Sequence, residues 1–339
     1  MSDTQTRTGL GPPQCESCDT RQSLACCDNC KAAFFCDNHI QDANRGPHNK
    51  QCSAVQKALE HMQEEERAVR EHPGDFMTLA NPFETGVGHF WDLIDTRDYM
   101  RARFGLVEEL PKLDNSTAVA SALDHLTDML RLNRSDNMGL RDKVPALFLR
   151  LGRDQECYDF MKWWTTPDDG YDWGDTTLPH LSIHGADALE SPGNFCGQYD
   201  GLGHTVPLTL FKIRLLLHVQ AMDGVTIGIG PLVPQQIIDQ IRREITGSDA
   251  IPASLIHQRN LLPVIASLRA QVKQLLDAVH DHNKFFWDML INPGSNLTAQ
   301  PYAYSRGSVE EAQLALKHNY SSWIETPGAI AIIEESRAA

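Results

Sequence analysis

The stretch CESCDTRQSLACCDNCKAAFFCDNHIQDANRGPHNKQC, residues 15–52, holds seven of the nine cysteines in this 339-residue chain. Within it, Cys15-x2-Cys18 and Cys27-x2-Cys30 are separated by eight residues. A two-residue gap lets both thiolates of a pair point into one tetrahedral metal shell. So short a segment cannot bury enough apolar surface to fold alone, and about 10 kcal/mol or more of binding free energy per structural zinc would supply the difference. The spacing therefore predicts bound metal.

Further candidate ligands lie in the second half of the stretch: Cys36, and the closing pair His48-x3-Cys52. One site would leave several thiolates unused, so we expect two metals. Cys26 could take the place of Cys27 as a ligand, but the two-residue gap to Cys30 favours Cys27. We expect Cys26 to be a small buried apolar side chain.

The stretch resembles a MYND-type zinc finger, whose pattern is Cys-x2-Cys, Cys-x2-Cys, an aromatic followed by Cys-x3-Cys, and His-x3-Cys. Phe35 is the aromatic of that pattern. The resemblance implies a cross-braced fold in which the first and third pairs hold one zinc ion and the second and fourth pairs hold the other. Carried over by position, it implies that the first zinc is bound by Cys15, Cys18 and Cys36, and the second by Cys27, Cys30, His48 and Cys52.

The sequence departs from the pattern at the eighth ligand, where Ile40 stands in the place of a cysteine. Isoleucine cannot bind a metal. His39 is the nearest candidate, because imidazole is an ordinary zinc ligand with a longer reach than a thiolate. We therefore predict His39 as the fourth ligand of the first zinc; the alternative is a first site that is empty or completed by water.

From Ser53 the pattern becomes helical. The segment 53–72 has apolar residues at helical intervals and a proline just after it. Seams at 208–222 and 261–286 predict two helices that pack as an antiparallel pair. The glycines of GVTIGIGP, residues 224–231, do not have the order of a dinucleotide-binding loop, and predict a turn.

Residues 117–165 are similar to tetratricopeptide repeats. Phe148, Gly152 and Cys157 have the aromatic, turn-glycine and small-residue spacing of such a repeat, and Gly307 and Ala312 repeat part of it. The fold class that we predict is mainly α: a small cross-braced two-zinc finger followed by an all-helical, tetratricopeptide-like domain. The predicted domains are a disordered N-terminus (1–14), the finger (15–52) and the helical domain (53–339), with a Gly/Asp/Pro-rich insertion at 166–203.

Composition excludes several functions. A net charge of -15 disfavours direct nucleic-acid binding, and no run of about 18 apolar residues could span a membrane. The polar N-terminus does not resemble a signal peptide, so we expect an intracellular protein, cytoplasmic or nuclear. His180 and His184 are four apart, but in extended chain that spacing is about 13 Å, too far to share a metal. No phosphate-binding loop or hydrolase elbow is present.

We therefore expect a zinc-binding adaptor for protein–protein interaction, which could act as a transcriptional or regulatory scaffold, rather than an enzyme. A closed four-ligand zinc site keeps no position for substrate. The MYND resemblance implies that the finger binds peptide segments of other proteins, often proline-containing ones, and a finger followed by helices is similar to the layout of fungal MYND proteins. The alternative is an enzyme, such as a methyltransferase related to MYND-containing SET proteins but without their motifs. The sequence predicts neither an oligomeric state nor a partner's identity.

Overall fold

The structure, a computed structural model, describes residues 9–18, 20–40, 46–167, 170–197, 201–229 and 233–338. About 61% of the chain is helical and 3% is strand, which confirms the mainly α class. The described residues form strands β1 (Leu24–Cys26) and β2 (Phe34–Cys36) and helices α1 (Pro47–Arg70), α2 (Pro82–Thr85), α3 (Arg97–Glu109), α4 (Ser116–Leu132), α5 (Val144–Arg150), α6 (Asp154–Trp164), α7 (Leu202–Ile229), α8 (Gln235–Ile245), α9 (Ala253–Ile256), α10 (Leu262–His282), α11 (Phe286–Ile291), α12 (Val309–Ile324) and α13 (Ala329–Ala338). Residues 1–14 were predicted to be a disordered N-terminus, and residues 1–8 of that segment lie outside the described residues.

The chain divides into two compact units. The first, here called the finger unit, contains the described residues of 10–147 and 170–180. The second, the helical unit, contains Gly9, residues 148–167 and the described residues from Leu181 onward. The predicted boundary at residue 52 stays a prediction. In the part of the chain that the structure describes, every helix is too short or too polar to cross a membrane.

The finger unit is built on α1, which packs against α3, while α3 packs against α4. Helix α1 begins at Pro47, six residues before the start that the apolar pattern predicts. Proline is favoured at the first helical position, because its missing N–H would be unpaired there in any case. The predicted apolar face of α1 is turned inward, and Val55, Met62 and Val69 are all buried.

The helical unit is organised by α7 and α10, which pack along each other as predicted. Thr205, near the start of α7, shares a cavity with Asp281 at the end of α10. Gln220, further along α7, shares another with Arg269, near the start of α10, so the two helices are antiparallel. The predicted seam stops at His282, because Asn283 leaves the helical conformation.

Helix α7 differs from the prediction in two ways. Gly224 and Gly228, predicted to form a turn, lie inside its last turns, and that prediction is wrong; Gly230 lies outside the described residues. Helix α7 also buries charges that lie off the predicted seam. The Lys212 ammonium, with 0% exposure, donates to the backbone carbonyls of Ala188 at 2.7 Å and Glu190 at 2.8 Å.

Arg214, two residues after Lys212 in α7, is also 0% exposed. It lies 3.2 Å from the buried carboxylate of Asp154 and donates to the Leu149 carbonyl at 2.6 Å. Unpaired buried charges are very costly, so these partners are what allow α7 to be buried on nearly all sides.

The segments that resemble tetratricopeptide repeats are helical. Gly152 makes the turn between α5 and α6 with a φ of 68°, a conformation that favours glycine, and Cys157 is buried. Gly307, with a φ of 74°, precedes α12 and follows the irregular segment 299–306. The tetratricopeptide assignment itself stays a prediction.

The predicted insertion at 166–203 is shared between the two units. Its residues 170–180 belong to the finger unit, where Arg134 donates to the carbonyls of Asp175 at 2.6 Å and Leu178 at 2.9 Å. Residues 181–197 belong to the helical unit, and Phe195 is buried there. Residues 168–169 and 198–200 of the insertion lie outside the described residues.

Candidate metal centres

The structure brings the eight predicted ligands together in two groups, each of which could hold a metal ion. In each group, the ligand atoms all lie within 4.8 Å of one another. The first group is Cys15, Cys18, Cys36 and His39, and the second is Cys27, Cys30, His48 and Cys52. Ligands from the two groups alternate along the sequence, which is the cross-braced order that the MYND resemblance implies.

The first group is assembled by the two-stranded sheet. Leu24 of β1 pairs with Cys36, the last residue of β2. The chain then turns, with the His39 N–H donating to the Cys36 carbonyl at 2.8 Å. This turn places His39 Nδ1 3.3 Å from Cys36 Sγ and 3.7 Å from Cys15 Sγ, while Cys18 Sγ lies 3.7 Å from Cys36 Sγ. Ile40 is absent from the group, as its chemistry requires.

The second group joins the turn after β1 to the first turns of α1. Lys31, at a φ of 55°, closes the turn, and its N–H donates to the Cys27 carbonyl at 3.0 Å. Because α1 begins at Pro47, His48 and Cys52 lie four residues apart on one face of the helix. Cys52 Sγ lies 3.6 Å from Cys27 Sγ, and His48 Nε2 lies 3.8 Å from the sulfur of Cys30.

Phe35 positions the histidine of the second group. Its ring, 1% exposed, meets the His48 ring edge-on with 5.2 Å between centroids. This packing restricts the orientations open to the His48 ring, whose Nε2 lies 3.8 Å from Cys30 Sγ. Phe35, the residue before the candidate ligand Cys36, therefore also packs against a ligand of the second group.

The spacing of the sulfur atoms suits a tetrahedral metal ion. Zinc–sulfur bonds of about 2.3 Å in a tetrahedron put neighbouring sulfurs about 3.8 Å apart, and a sulfur and a nitrogen about 3.6 Å apart. One sulfur–sulfur pair in each group lies at 3.7 and 3.6 Å, three sulfur–nitrogen pairs lie at 3.3 to 3.8 Å, and all other pairs lie within 4.8 Å. A disulfide needs about 2.05 Å, so both groups are spaced for an ion.

The cysteine thiols of the two groups differ in pKa. Burial opposes loss of the Cys15 proton, but backbone N–H groups of Cys36 and Ser17 donate to its sulfur and lower its pKa to about 6. Burial also opposes ionisation of Cys27, yet backbone N–H groups in the following turn lower its pKa. By contrast, burial raises the pKa of Cys52 to about 12. Since the thiolate is the metal-binding form, each group contains a thiol whose surroundings favour ionisation.

Cys26, the neighbour of the ligand Cys27, belongs to neither group. Its side chain is half-buried, and its Sγ lies 3.8 Å from the Cys27 carbonyl. The preference for Cys27 therefore agrees with the grouping. Cys26 is less buried than expected, and it provides a cysteine beside the site that can be changed without removing a candidate ligand.

A third group, which the sequence reasoning missed, consists of His72, Asp75 and Asp95. The Gly74 N–H donates to His72 Nδ1 at 3.1 Å, so the proton of the neutral ring is on Nε2, which faces the carboxylates of Asp95 at 3.7 Å and Asp75 at 4.0 Å. A protonated nitrogen cannot bind a metal. The group is better described as a clasp, in which Asp95 also accepts from the Thr78 hydroxyl at 2.6 Å. No local spacing connects Asp95 to His72, which is why the sequence did not reveal it.

His180 and His184 do not form a further metal centre. His180 lies in the finger unit and His184 in the helical unit, and neither belongs to a metal-type group among the described residues. Burial, and then the charge of Arg134, lowers the pKa of His180 to about 4.

Comparison with known proteins adds no assignment: no protein-family profile, curated protein or solved structure matches the chain.

Proposed function

We propose that this chain is a zinc-stabilised adaptor that binds other proteins through a MYND-type finger. The observation that carries the proposal is the alternation of the two groups along the sequence, each with three cysteines and one histidine at tetrahedral spacing. Three soft thiolates and an imidazole favour zinc over magnesium or calcium, which prefer oxygen ligands. Both zinc ions would be supplied with four protein ligands each.

The chemistry of a closed site supports a structural role. With four protein ligands, neither zinc would have an open position at which to activate water or bind substrate. Each zinc would tie together segments that are distant in sequence. The first joins the N-terminal pair to the end of β2, and the second joins the turn after β1 to α1. The metals would thus hold the finger's surface in place for a partner, and they would do no chemistry themselves.

The MYND resemblance suggests other proteins or peptides, including proline-containing segments, as partners. The helical unit would add binding surface, and its Gly152 turn between α5 and α6 supports the tetratricopeptide-like reading. This proposal includes neither direct nucleic-acid binding nor membrane association. An intracellular location, cytoplasmic or nuclear, goes with a site built from free thiols.

The test is a quantitative affinity purification of the full chain from the cells that express it. A Cys27→Ser/Cys30→Ser variant removes half of the second group, and Cys26→Ser is the matched control, since Cys26 is in neither group. The proposal predicts partners that are lost with the double variant and kept with the control. An identical partner set for all three proteins would contradict a binding role for the finger.

The enzyme alternative is tested separately by calorimetry with S-adenosylmethionine. We expect no measurable heat of binding with the zinc-loaded chain. Saturable binding at micromolar concentration would instead support a methyltransferase and would overturn the non-enzymatic part of the proposal.

A further inference from the structure

Three large apolar side chains are exposed together in the loop after α1. Phe76 is 98% exposed, Met77 61% and Leu79 64%; we call these three residues the apolar tip. Single exposed apolar residues are ordinary, but three within four consecutive residues make this loop a candidate site of interaction. Ile94, 59% exposed, adjoins Asp95, a residue of the clasp beneath the tip.

The loop that carries the apolar tip is held rigidly. Asp75 Oδ1 accepts from the N–H groups of Met77 and Thr78, both at 2.7 Å, and the Asp75 N–H donates to the Thr78 carbonyl at 2.7 Å. Thr78 is buried at 0% exposure, and its hydroxyl is bonded to Asp95. Thr78 therefore anchors the loop while its neighbours on either side face solvent.

Glycine is required at the base of this loop. Gly74 has a φ of 86°, and a Cβ there would lie 2.6 Å from the backbone nitrogen of Ala80. The backbone at Gly74 thus packs directly against the backbone at Ala80, where the loop ends. A loop fixed in this way loses little conformational entropy on binding, which favours its use as an anchor for a partner.

The surroundings of the apolar tip are acidic. Asp75 lies in the loop itself and Asp95 is bonded to the loop's buried Thr78, in a chain whose net charge is -15. Asp75 and Asp95 of the clasp are 55% and 41% exposed, so their charge is felt at the surface. Such a surface repels anionic lipid headgroups and nucleic acid, and it repels a second copy of the same acidic chain.

We propose that the apolar tip docks into an apolar pocket bordered by Lys and Arg side chains on a partner protein. The tip provides the buried anchors, and the carboxylates around it provide orientation and a faster encounter. This surface contains no ligand of either metal group, so the proposal does not depend on what the finger binds.

The test places a photo-crosslinkable phenylalanine derivative at position 76 of the zinc-loaded full chain. The matched control carries the same group at Tyr302, which is fully exposed in the helical unit. After irradiation in lysate of the cells that express the chain, mass spectrometry identifies any protein crosslinked from position 76 but not from 302. That protein is then purified, and its affinity is measured for the wild type, Phe76→Ser/Leu79→Ser and Tyr302→Ser.

The expected result has three parts. The tip variant binds at least about tenfold more weakly while Tyr302→Ser binds normally, the affinity falls as salt is raised, and the crosslink maps to apolar residues beside Lys or Arg. An unchanged urea midpoint shows that the tip variant is folded.

Other results overturn the proposal. They are the absence of a position-specific crosslink, equal affinity for the tip variant, crosslinking to a second copy of the chain, or tip-dependent flotation with neutral lipid vesicles. Loss of binding in Cys27→Ser/Cys30→Ser but not in the tip variant would contradict this inference while leaving the adaptor proposal standing.

Discussion

Replacing His39 by alanine is expected to empty the first metal site and leave the second filled. The side chain's Nδ1 atom lies 3.3 Å from one cysteine sulfur of the group and 3.7 Å from another, so it occupies one corner of a four-ligand shell. The binding free energy of structural zinc is about 10–16 kcal/mol. If four ligands share it equally, the loss of one removes about 3–4 kcal/mol, which is two to three orders of magnitude in affinity. His39→Ala should weaken the first site by about that factor.

The assay is a competition titration against a chromophoric chelator of known zinc affinity. The wild type should release two zinc ions at high chelator concentration, whereas His39→Ala should release the first at far lower concentration. The matched control is His61→Ala, an exposed histidine on α1 outside both groups. Adding Ile40→Cys to His39→Ala restores the family spacing and should recover most of the affinity. A His39→Ala protein whose two affinities both lie within threefold of the wild type would refute a ligand role for His39.

Three further predictions concern the helical unit. Arg214→Met should destabilise it by about 3–5 kcal/mol in urea unfolding because the buried Asp154 carboxyl loses its cationic partner, and Asp154→Leu in the same chain should recover much of the loss. Lys212→Met should lower the free energy of unfolding by about 2–4 kcal/mol, because the carbonyls of Ala188 and Glu190 lose their donor. Residues 186–190 should then be cut faster by protease. An unchanged cleavage rate would contradict the role of Lys212 in holding this segment. Burial, and then the charge of Arg214, lowers the pKa of His218 to about 4, so the folded state excludes a proton that the unfolded state takes up below about 6.5. Stability should therefore fall between pH 6.5 and pH 4, and His218→Phe should remove roughly 2 kcal/mol of that fall, measured as the difference in unfolding free energy between pH 7 and pH 4.5.

The candidate metal centres were largely predictable, because ligand spacing is local information. Two residues between cysteines, and three between His48 and Cys52, predict the pairs of ligands, whereas the assignment of the pairs to two ions came from the MYND resemblance. The start of α1 was missed because only apolar periodicity was followed. Gly46, at a φ of 80°, and Pro47 at the first helical position were the available signal.

Other features depend on tertiary contacts that no local pattern contains. Gly224 and Gly228 predicted a turn, but glycine costs a helix only about 1 kcal/mol, and the packing of α7 outweighs that. Lys212 and Arg214 lie off the apolar seam, so their burial could not be inferred without knowing their partners. The clasp beneath the apolar tip is likewise invisible in sequence, because it joins residues more than twenty positions apart.

Metal stoichiometry tests the central claim most directly. Native mass spectrometry of the purified full chain should show two zinc ions per chain, and Cys26→Ser should also show two. Cys27→Ser/Cys30→Ser should retain only the zinc of the first group, and His39→Ala only that of the second. A wild-type chain that binds no zinc, or one ion that both variants lose equally, would contradict two independent four-ligand centres.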